Sequence, residues 1–239
     1  MQTIPRLDQY SDFPPTYEAL EEPNGLLAVG GNLNPQRLLS AYRLGIFPWY
    51  DAPQPVLWWT PDPRSVLFPH ELHQSRSLRK TLRGNSFWLG VDRAFDDVID
   101  ACAELRGDGL GTWIDEDMKA AYCELHQMGY GHSIEVYLDA ARQQLVGGLY
   151  GIALGRVFFG ESMFSRETDA SKVALVALVH ILRRADFHMI DCQVESEHLN
   201  SLGARCISRL DFEARLAQTV DIETDSGIWR LPESCGELL

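Results

Sequence analysis

An acid and an amide two residues apart, in the string FHMIDCQV, form the first pair that could do chemistry. The string is typical of a β-strand, and alternation along a strand places Asp191 and Gln193 on one face, with Cys192 on the other. Such a pair can orient an amine and accept its proton, or pass that proton on through a hydrogen bond. A hydrogen-bonded structural pair at the end of a strand is the alternative, and both stay open.

A second candidate is the carboxylate of VFFGESMFSR, where Glu161 lies among apolar residues. Burial of an unpaired charge is costly, so this group is expected to have a partner, a shifted pKa or a function. We expect Gly160 to end the preceding strand, which would leave Glu161 at the mouth of an apolar pocket.

Other patterns for metals, nucleophiles and cofactors are weak in this sequence. His70 and His73 lie three residues apart, but no third zinc ligand is close to them. Cys192 would need a histidine partner to act as a nucleophile, so a buried, small apolar role is favoured. The sequence has no Walker loop and no Rossmann glycine fingerprint. We therefore expect no metal and no other cofactor.

Composition and charge exclude several classes of protein. The 239 residues are 45% hydrophobic and 23% charged, which is typical of one large globular domain or two small ones. The five cysteines form no CxxC pair, so a reducing cytoplasm is the expected location. The beginning of the chain does not resemble a signal peptide, and no apolar run approaches the ~20 residues that span a bilayer. No membrane partner is expected.

The formal net charge of −13 should repel nucleic acid on average, but one stretch has the opposite sign. Between positions 64 and 91 the only acid is Glu71, and the stretch contains five cations: Arg64, Arg76, Arg79, Lys80 and Arg83. These residues could bind phosphate groups. They could equally form a solvated helix face, and charge alone leaves both possibilities open.

Capping residues and proline punctuation predict how the chain is organised. A helix should begin at Pro35, with Asn34 as its N-cap and Gly45 just beyond its end. Four prolines between positions 53 and 63 predict a domain junction. We therefore expect a small N-terminal domain, residues 1–63, followed by a larger catalytic domain, residues 64–239.

From His132 onward the predicted order is strand, strand, strand, helix, strand, helix. This order resembles the GNAT-like acyltransferase fold, an α/β (α+β) fold whose central, mostly antiparallel sheet places an acyl donor beside an acceptor amine. Acyl-CoA enzymes of that fold bind pyrophosphate on a loop in which glycines let backbone N–H groups approach. The corresponding loop here, ESMFSRETDASK, contains no glycine, and this argues against coenzyme A.

Several strings, in order and across nearly the whole chain, closely resemble the leucyl/phenylalanyl-tRNA–protein transferase family. They are PNGLLAVGGNL, LLSAYRLGIFPWY, LWWTPDPR, GTWI, GHSIEVY, LVGGLYG, FFGESMFSR, ASK and IDCQV. The resemblance implies transfer of Leu or Phe, and less readily Met, from aminoacyl-tRNA to proteins or peptides that begin with Arg or Lys. It also implies that the transfer marks those proteins for degradation.

The resemblance also implies roles for particular residues. Asp191 would orient Gln193, and Gln193 would draw the proton from the attacking amine. The implied aminoacyl pocket consists of Tyr42, Trp49, Trp113, Tyr122, Leu149, Glu161, Met163, Ser165 and Leu175. Leu149 replaces the methionine that is typical of the family, so a slightly different preference among Leu, Phe and Met is expected.

The implied tRNA contacts are the five cations of the basic stretch, Arg64 included. Glu161 would stay ionised and would bind the α-amino group of the donor. Two rival hypotheses remain: an acyl-CoA-dependent N-acyltransferase of the same fold, and a tRNA-binding module without catalytic activity.

Overall fold

The structure is a computed structural model that describes residues 4–104 and 114–239. Its helices and strands follow in chain order: β1 (Arg6–Leu7), β2 (Leu26–Gly30), α1 (Pro35–Arg43), β3 (Phe47–Pro48), β4 (Leu57–Trp59), β5 (Arg64–Leu67), α2 (Arg76–Gly84), β6 (Trp88–Val91), α3 (Phe95–Glu104), α4 (Glu116–Gln127), β7 (Gly131–Tyr137), β8 (Leu145–Leu154), β9 (Val157–Ser165), α5 (Ala170–Arg184), β10 (Met189–Gln193), α6 (Glu197–Ser201), β11 (Arg205–Ile207) and α7 (Arg209–Thr219). Within these ranges, no helix is long and apolar enough to cross a bilayer.

The strands form two sheets. The smaller sheet has the order β1-β2-β4-β3, and the larger one has the order β11-β5-β10-β9-β8-β7-β6. In the larger sheet, β9 and β10 pair in parallel, and all other neighbouring strands pair antiparallel. The predicted α/β class, the mostly antiparallel sheet and the order of elements after His132 are therefore confirmed. The boundary between residues 63 and 64 stays a prediction.

The larger sheet separates two hydrophobic cores, because alternate residues of its strands point to opposite faces. On β9, Phe158 belongs to the core that contains α5, whereas Phe159 belongs to the core that contains α1, α3 and α4. Leu149 and Tyr150 of β8 divide in the same way. The central strands therefore contribute side chains to both layers.

The predicted caps of α1 are confirmed. The Asn34 side chain accepts the backbone N–H of Arg37 at 2.8 Å, and Pro35 occupies the first helical position. Gly45 has a φ of +74°, a left-handed conformation that glycine adopts without steric cost. These two ends fix the length of α1 and place its buried face, which includes Tyr42, against the larger sheet.

The start of α5 has no hydrogen bond from the side chain of its N-cap residue. Asp169 occupies the N-cap position, but its side chain makes no capping bond. Instead, the Ser165 hydroxyl accepts the N–H of Ser171 at 3.2 Å, and the Glu167 carbonyl accepts the N–H of Ala170 at 3.1 Å. Residues of the same loop therefore satisfy backbone donors at the start of α5.

Strand β9 does not end at Gly160, so that prediction is wrong. Tyr150 pairs with Ser162 and Gly151 pairs with Gly160, which leaves Glu161 unpaired in a β-bulge. A bulge bends the strand locally and redirects its side chains while the ladder continues to Ser165.

A second irregularity occurs on β10, the neighbouring strand. Asp191 pairs with Val66 and Gln193 pairs with Ser65, so Cys192 is the extra residue. Regular alternation therefore fails between Asp191 and Gln193. The two irregularities lie on adjacent strands, and both bring polar side chains toward the same space.

Candidate active site

A cavity of about 230 Å³ lies where the pairing of β9 and β10 ends. The last residues of these strands to pair with each other are Phe159 and Asp191. Much of the cavity wall is apolar. Its apolar residues include Phe47, Leu149, Phe158, Met163, Leu175, Leu178, Ile190 and Leu199. Glu161 and Gln193 are among the few polar residues of the lining. An apolar cavity with a few polar groups is the usual form of a small-ligand site.

Asp191 forms a buried ion pair with Arg64. The Arg64 Nε and Nη2 atoms donate to the two carboxylate oxygens at 2.8 and 2.7 Å. Neither residue is exposed, and the guanidinium lies over the rings of Phe47 and Phe212 at 4.8 and 4.5 Å. Bidentate geometry and aromatic stacking are what make arginine suited to such a site.

This burial corrects the prediction that Arg64 contacts tRNA. A fully buried guanidinium that is bound to Asp191 has no surface to offer a phosphate. In the sequence, Arg64 belongs to the basic segment that follows the Pro-rich stretch. In the structure, Arg64 lies on β5, and its side chain points into the protein.

Gln193 is held by Asp191 through the backbone. Its N–H donates to Asp191 Oδ1 at 2.9 Å, and its φ of +63° is in the left-handed region that glutamine seldom adopts. The hydrogen bond stabilises this conformation, which directs the Gln193 side chain toward Glu161. The Nε2–Oε1 distance between these side chains is 3.3 Å. Asp191 and Gln193 are therefore adjacent, as expected, although by a bulge rather than by alternation.

Glu161 is bound by two tyrosines from different helices. Tyr42 of α1 donates to Oε1 at 2.7 Å, and Tyr122 of α4 donates to Oε2 at 2.6 Å. The two hydroxyl oxygens are themselves only 2.8 Å apart. Both tyrosines are fully buried, so they lie behind Glu161 when viewed from the cavity.

Burial raises the pKa of Glu161 to about 7. The hydrogen bonds from Tyr122 and Tyr42 oppose this rise because they stabilise the charged form, and Arg64 acts in the same direction. The charge of Asp191 raises the pKa further. A pKa near neutrality means that Glu161 can gain or lose a proton around pH 7, so the expectation that it stays ionised in the complex with the donor remains a prediction.

The predicted pocket residues are distributed unevenly. Leu149, Met163, Leu175 and Trp49 line the cavity together with Glu161. Trp49 is 42% exposed, so it marks the opening.

Three other predicted pocket residues lie elsewhere. Tyr42 and Tyr122 contact Glu161 from behind and, within the described residues, are not part of the cavity lining. Ser165 is exposed and caps α5, so the geometry gives it no position on the cavity wall. Trp113 lies outside the described residues.

Four of the five predicted tRNA contacts share one surface. They are exposed on α2: Arg76, Arg79, Lys80 and Arg83. Leu78 and Leu82 form the buried face of the same helix. In the part of the chain that the structure describes, none of these four cations makes an ion pair with an acid, so α2 presents an uncompensated basic face.

The cysteine and histidine candidates do not form a reactive site. Cys192 lines the cavity, but burial raises the pKa of its thiol above its usual value, so the thiolate needed for attack is disfavoured. Among residues 4–104 and 114–239, no group of three or more potential ligands could hold a metal ion.

Several cavity residues and one ion pair have no clear local signal in the sequence. Phe158 and Ile190 looked like ordinary core residues, since strand alternation gives no sign of a cavity. The pairing of Arg64 with Asp191 spans 127 positions, and no local pattern indicates it. A signal for Phe47 did exist, because the apolar string IFPWY follows α1 directly.

A family model described as leucyl/phenylalanyl-tRNA protein transferase matches residues 66–217, and the model of that family's N-terminal domain matches residues 31–62. The chain is similar to a GCN5-related N-acetyltransferase-like protein of Streptococcus suis, at 12% identity and a TM-score of 0.34, over 69% of this chain and 60% of that one.

Three curated relatives are named leucyl/phenylalanyl-tRNA–protein transferase. The protein of Pseudomonas aeruginosa is 61% identical over 84% of this chain and 88% of its own length. The protein of Aromatoleum aromaticum is 57% identical over 95% of this chain and 94% of its own length. The protein of Pseudomonas entomophila is 57% identical over 87% of this chain and 91% of its own length. The chain therefore belongs to the leucyl/phenylalanyl-tRNA–protein transferase family of aminoacyltransferase enzymes.

Proposed function

We propose that this enzyme moves Leu or Phe, and less readily Met, from aminoacyl-tRNA to the α-amine of proteins that begin with Arg or Lys. The resemblance to the family suggests these substrates, as well as the role of the product as a degradation signal. The observation that supports the proposal most is the apolar cavity, whose lining includes Glu161 and Gln193 with their side chains 3.3 Å apart.

The cavity suits the side chain of the donor. A branched or aromatic side chain can bury its surface against Leu149, Met163 and Leu175, which gains about 25 cal/mol per Å² of apolar area. A hydrophobic cavity separates side chains that differ by a methylene by only ~1–3 kcal/mol. Acceptance of more than one amino acid follows from this weak discrimination.

The reaction itself needs alignment more than activation. An aminoacyl ester is already reactive toward amines, and favourable positioning can contribute ~7–11 kcal/mol. In our proposal Gln193 orients the attacking amine, and Asp191 is a positioning residue that holds Gln193 through its backbone N–H. Glu161 binds the α-amino group of the donor.

The start of α5 favours aminoacyl-tRNA over acyl-CoA as the donor. A pyrophosphate would need free N–H groups at this helix end. The N–H groups of Ala170 and Ser171 are already bonded to Glu167 and Ser165, and the Asp169 carboxylate lies beside them. A pyrophosphate would find these N–H donors occupied, and the Lys172 ammonium is already paired with the Asp169 carboxylate at 2.9 Å.

The basic face of α2 supports binding of tRNA. Its four cations are exposed, and Thr81 on the same helix donates to Asp169 at 2.9 Å, which connects α2 to the start of α5. We propose that this face contacts the phosphate backbone of the donor. The proposed division into residues 1–63 and 64–239 would then place this face in the catalytic domain.

The experiment is a transfer assay with two possible donors. The protein is incubated with radiolabelled Leu-tRNA and a peptide that begins with Arg, and in parallel with radiolabelled acetyl-CoA. A peptide of the same sequence with an acetylated N-terminus is the matched acceptor control. We expect label from Leu-tRNA on the free peptide only.

The rival functions give different results in the same assay. Label from acetyl-CoA would support the acyl-CoA-dependent N-acyltransferase. Tight tRNA binding without any labelled peptide would support the module without catalytic activity, and would contradict our proposal.

A further inference from the structure

Glu161, Tyr42 and Tyr122 form a closed ring of three short oxygen–oxygen contacts, at 2.7, 2.6 and 2.8 Å. Each distance is that of an O–H···O hydrogen bond. Three hydrogen bonds need three protons, but a tyrosine hydroxyl supplies only one. The ring is therefore complete only when Glu161 carries the third proton as a carboxylic acid.

The direction of the hydrogen bonds depends on that proton. In the protonated ring Glu161 Oε1–H donates to Tyr42, Tyr42 donates to Tyr122, and Tyr122 donates to Glu161 Oε2. When Glu161 is ionised, both hydroxyls donate to the carboxylate, and their oxygens then face each other at 2.8 Å without a shared proton. Arrival of one proton on Glu161 therefore adds one hydrogen bond to the ring.

The position of the ring makes the cavity the source of that proton. Glu161 lines the cavity, whereas Tyr42 and Tyr122 are fully buried behind it. Oε1 also lies 3.3 Å from Gln193 Nε2, so it is adjacent to the group that orients the attacking amine in the proposed function.

We propose that Glu161 is the proton acceptor of the transfer reaction, and that Tyr42 and Tyr122 are positioning residues that complete its hydrogen-bonded ring when the proton arrives. This inference rests on the proposed function. It changes the role of Glu161 from binding the donor alone to taking part in the chemical step.

One proton moves from the acceptor amine to the leaving ribose oxygen by way of Glu161. The neutral acceptor amine attacks the ester carbonyl, a C–N bond forms, and one N–H proton passes to the Glu161 carboxylate. The C–O bond to the ribose then breaks, and the leaving ribose oxygen takes a proton from the Glu161 carboxylic acid. Glu161 ends as a carboxylate, the tRNA ends with a free hydroxyl, and the acceptor carries a new peptide bond.

The charged and titratable groups around Glu161 fit this role. Arg64 of β5 and Asp191 of β10 are bound to each other, so their charges largely cancel. Tyr150 of β8 has a buried hydroxyl without a hydrogen-bond partner among the described residues. With its pKa raised to about 7, Glu161 lies in the range that suits a general base near neutral pH, whereas the neutral amide of Gln193 is a poor base.

The first test separates binding from chemistry. Single-turnover transfer is measured with enzyme saturated by Leu-tRNA and by a peptide that begins with Arg. Glu161→Gln is expected to slow this step by about 100-fold or more, because general base catalysis typically contributes ~10²–10⁴-fold. An unchanged rate at saturation, with only a weaker affinity for the donor, would show that Glu161 binds the donor and does no more.

The second test follows the acidic limb of the pH–rate profile. In Tyr122→Phe the carboxylate loses one donor, so the pKa of Glu161 rises and the limb moves to higher pH, by about one pH unit for a charge-assisted hydrogen bond. Tyr137→Phe is the matched control, since this buried tyrosine of β7 lies outside the cavity lining and the ring. The acceptor amine titrates identically in both variants, so a limb that stays in place in Tyr122→Phe would overturn the inference.

The third test does not depend on transfer activity. Glutamate is labelled with ¹³C at its carboxyl, and the Glu161 resonance is assigned by its loss in Glu161→Gln. We expect a titration midpoint near pH 7 that moves upward in Tyr122→Phe. A midpoint below pH 5 would overturn the inference. If wild-type protein transferred no leucine, the proposed function would fail, yet this titration would still decide whether the ring takes up a proton near neutrality.

Discussion

Arg64 and Asp191, which are 127 positions apart in the chain, form a bidentate ion pair that is completely buried. The same Asp191 Oδ1 that accepts Arg64 Nε also accepts the backbone N–H of Gln193. The ion pair therefore connects β5 to the irregular end of β10. The position of Gln193 therefore depends on Arg64, which is not among the residues that line the cavity.

Removal of one partner of this pair should destabilise the protein strongly. Arg64→Met leaves Asp191 buried without its counter-charge, and we expect the free energy of unfolding to fall by ~3–5 kcal/mol. Urea unfolding, followed by tryptophan fluorescence, measures this difference. Arg43→Met is the matched control, because Arg43 forms an exposed ion pair with Asp221 and should change stability little.

The double variant Arg64→Met/Asp191→Leu separates stability from function. Apolar replacement of a whole buried ion pair is often neutral, so stability should recover relative to Arg64→Met. Transfer activity should stay low, because Gln193 has lost the acceptor of its backbone N–H. Recovery of activity together with stability would contradict the positioning role of Asp191.

Glu135 should make stability depend on pH. This carboxyl is fully buried, and burial raises its pKa from the usual 4.5 to about 7. Between these pH values the folded protein holds a proton that the unfolded chain has lost, so stability falls as pH rises through this window. The loss is on the order of 3 kcal/mol and levels off above pH 7.

The variant Glu135→Gln should flatten this dependence, because it removes the titrating group. Urea unfolding at pH 5 and pH 8 provides the comparison, and Glu124→Gln on the exposed face of α4 is the control. The raised pKa of Glu161 also makes stability fall as pH rises, so Glu135→Gln should still lose some stability between pH 5 and pH 8. An undiminished decrease in Glu135→Gln would rule out this assignment.

Much of the fold followed from local signals in the sequence. Asn34, Pro35 and Gly45 define α1 because caps and helix ends depend on the residues at those positions. The element order after His132 followed from hydrophobic periodicity, which changes clearly between strands and helices. Small strands such as β3, with two residues, have too little periodicity to be predicted.

The sequence indicated the polar residues that meet at the cavity but not their geometry, and their roles in the reaction stay predictions. Asp191, Gln193 and Glu161 were recognised because polar residues in apolar strings need an explanation. Two bulges that place Glu161 and Gln193 in contact depend on pairing between distant strands, which no local pattern encodes. Arg64 was misplaced for the same reason, since its partner lies far away in sequence.

The basic face of α2 should determine affinity for tRNA. Each of Arg79→Gln and Lys80→Gln is expected to weaken binding of uncharged tRNA and to reduce the slope of log affinity against log salt by about one. Filter binding at several salt concentrations measures both quantities. Arg43→Gln, outside α2, should leave the slope unchanged; an equal effect there would show that only the total charge matters.

The apolar wall should set the preference among donors. Met163→Ala enlarges the cavity, so Leu loses contacts and its kcat/KM falls by a factor that corresponds to ~1–3 kcal/mol. Phe can fill more of the new space, and the Phe-to-Leu ratio of kcat/KM should rise. Leu149→Met preserves the volume and is the matched control, with a change in this ratio of less than about tenfold. A larger shift in the control than in Met163→Ala would contradict this assignment of the wall.

The central claim is that the cavity between β9 and β10 holds the aminoacyl group, and the most direct test is to fill it. Leu175→Trp places a larger side chain on the α5 wall of the cavity, and thermal unfolding verifies that the variant is folded. The measurement is the initial rate of leucine transfer from Leu-tRNA to a peptide that begins with Arg, with the affinity for uncharged tRNA measured in parallel. We predict a rate at least about 100-fold lower, as expected for loss of a well-filled apolar site, with tRNA affinity unchanged. A folded Leu175→Trp variant that transfers leucine at the wild-type rate would contradict it.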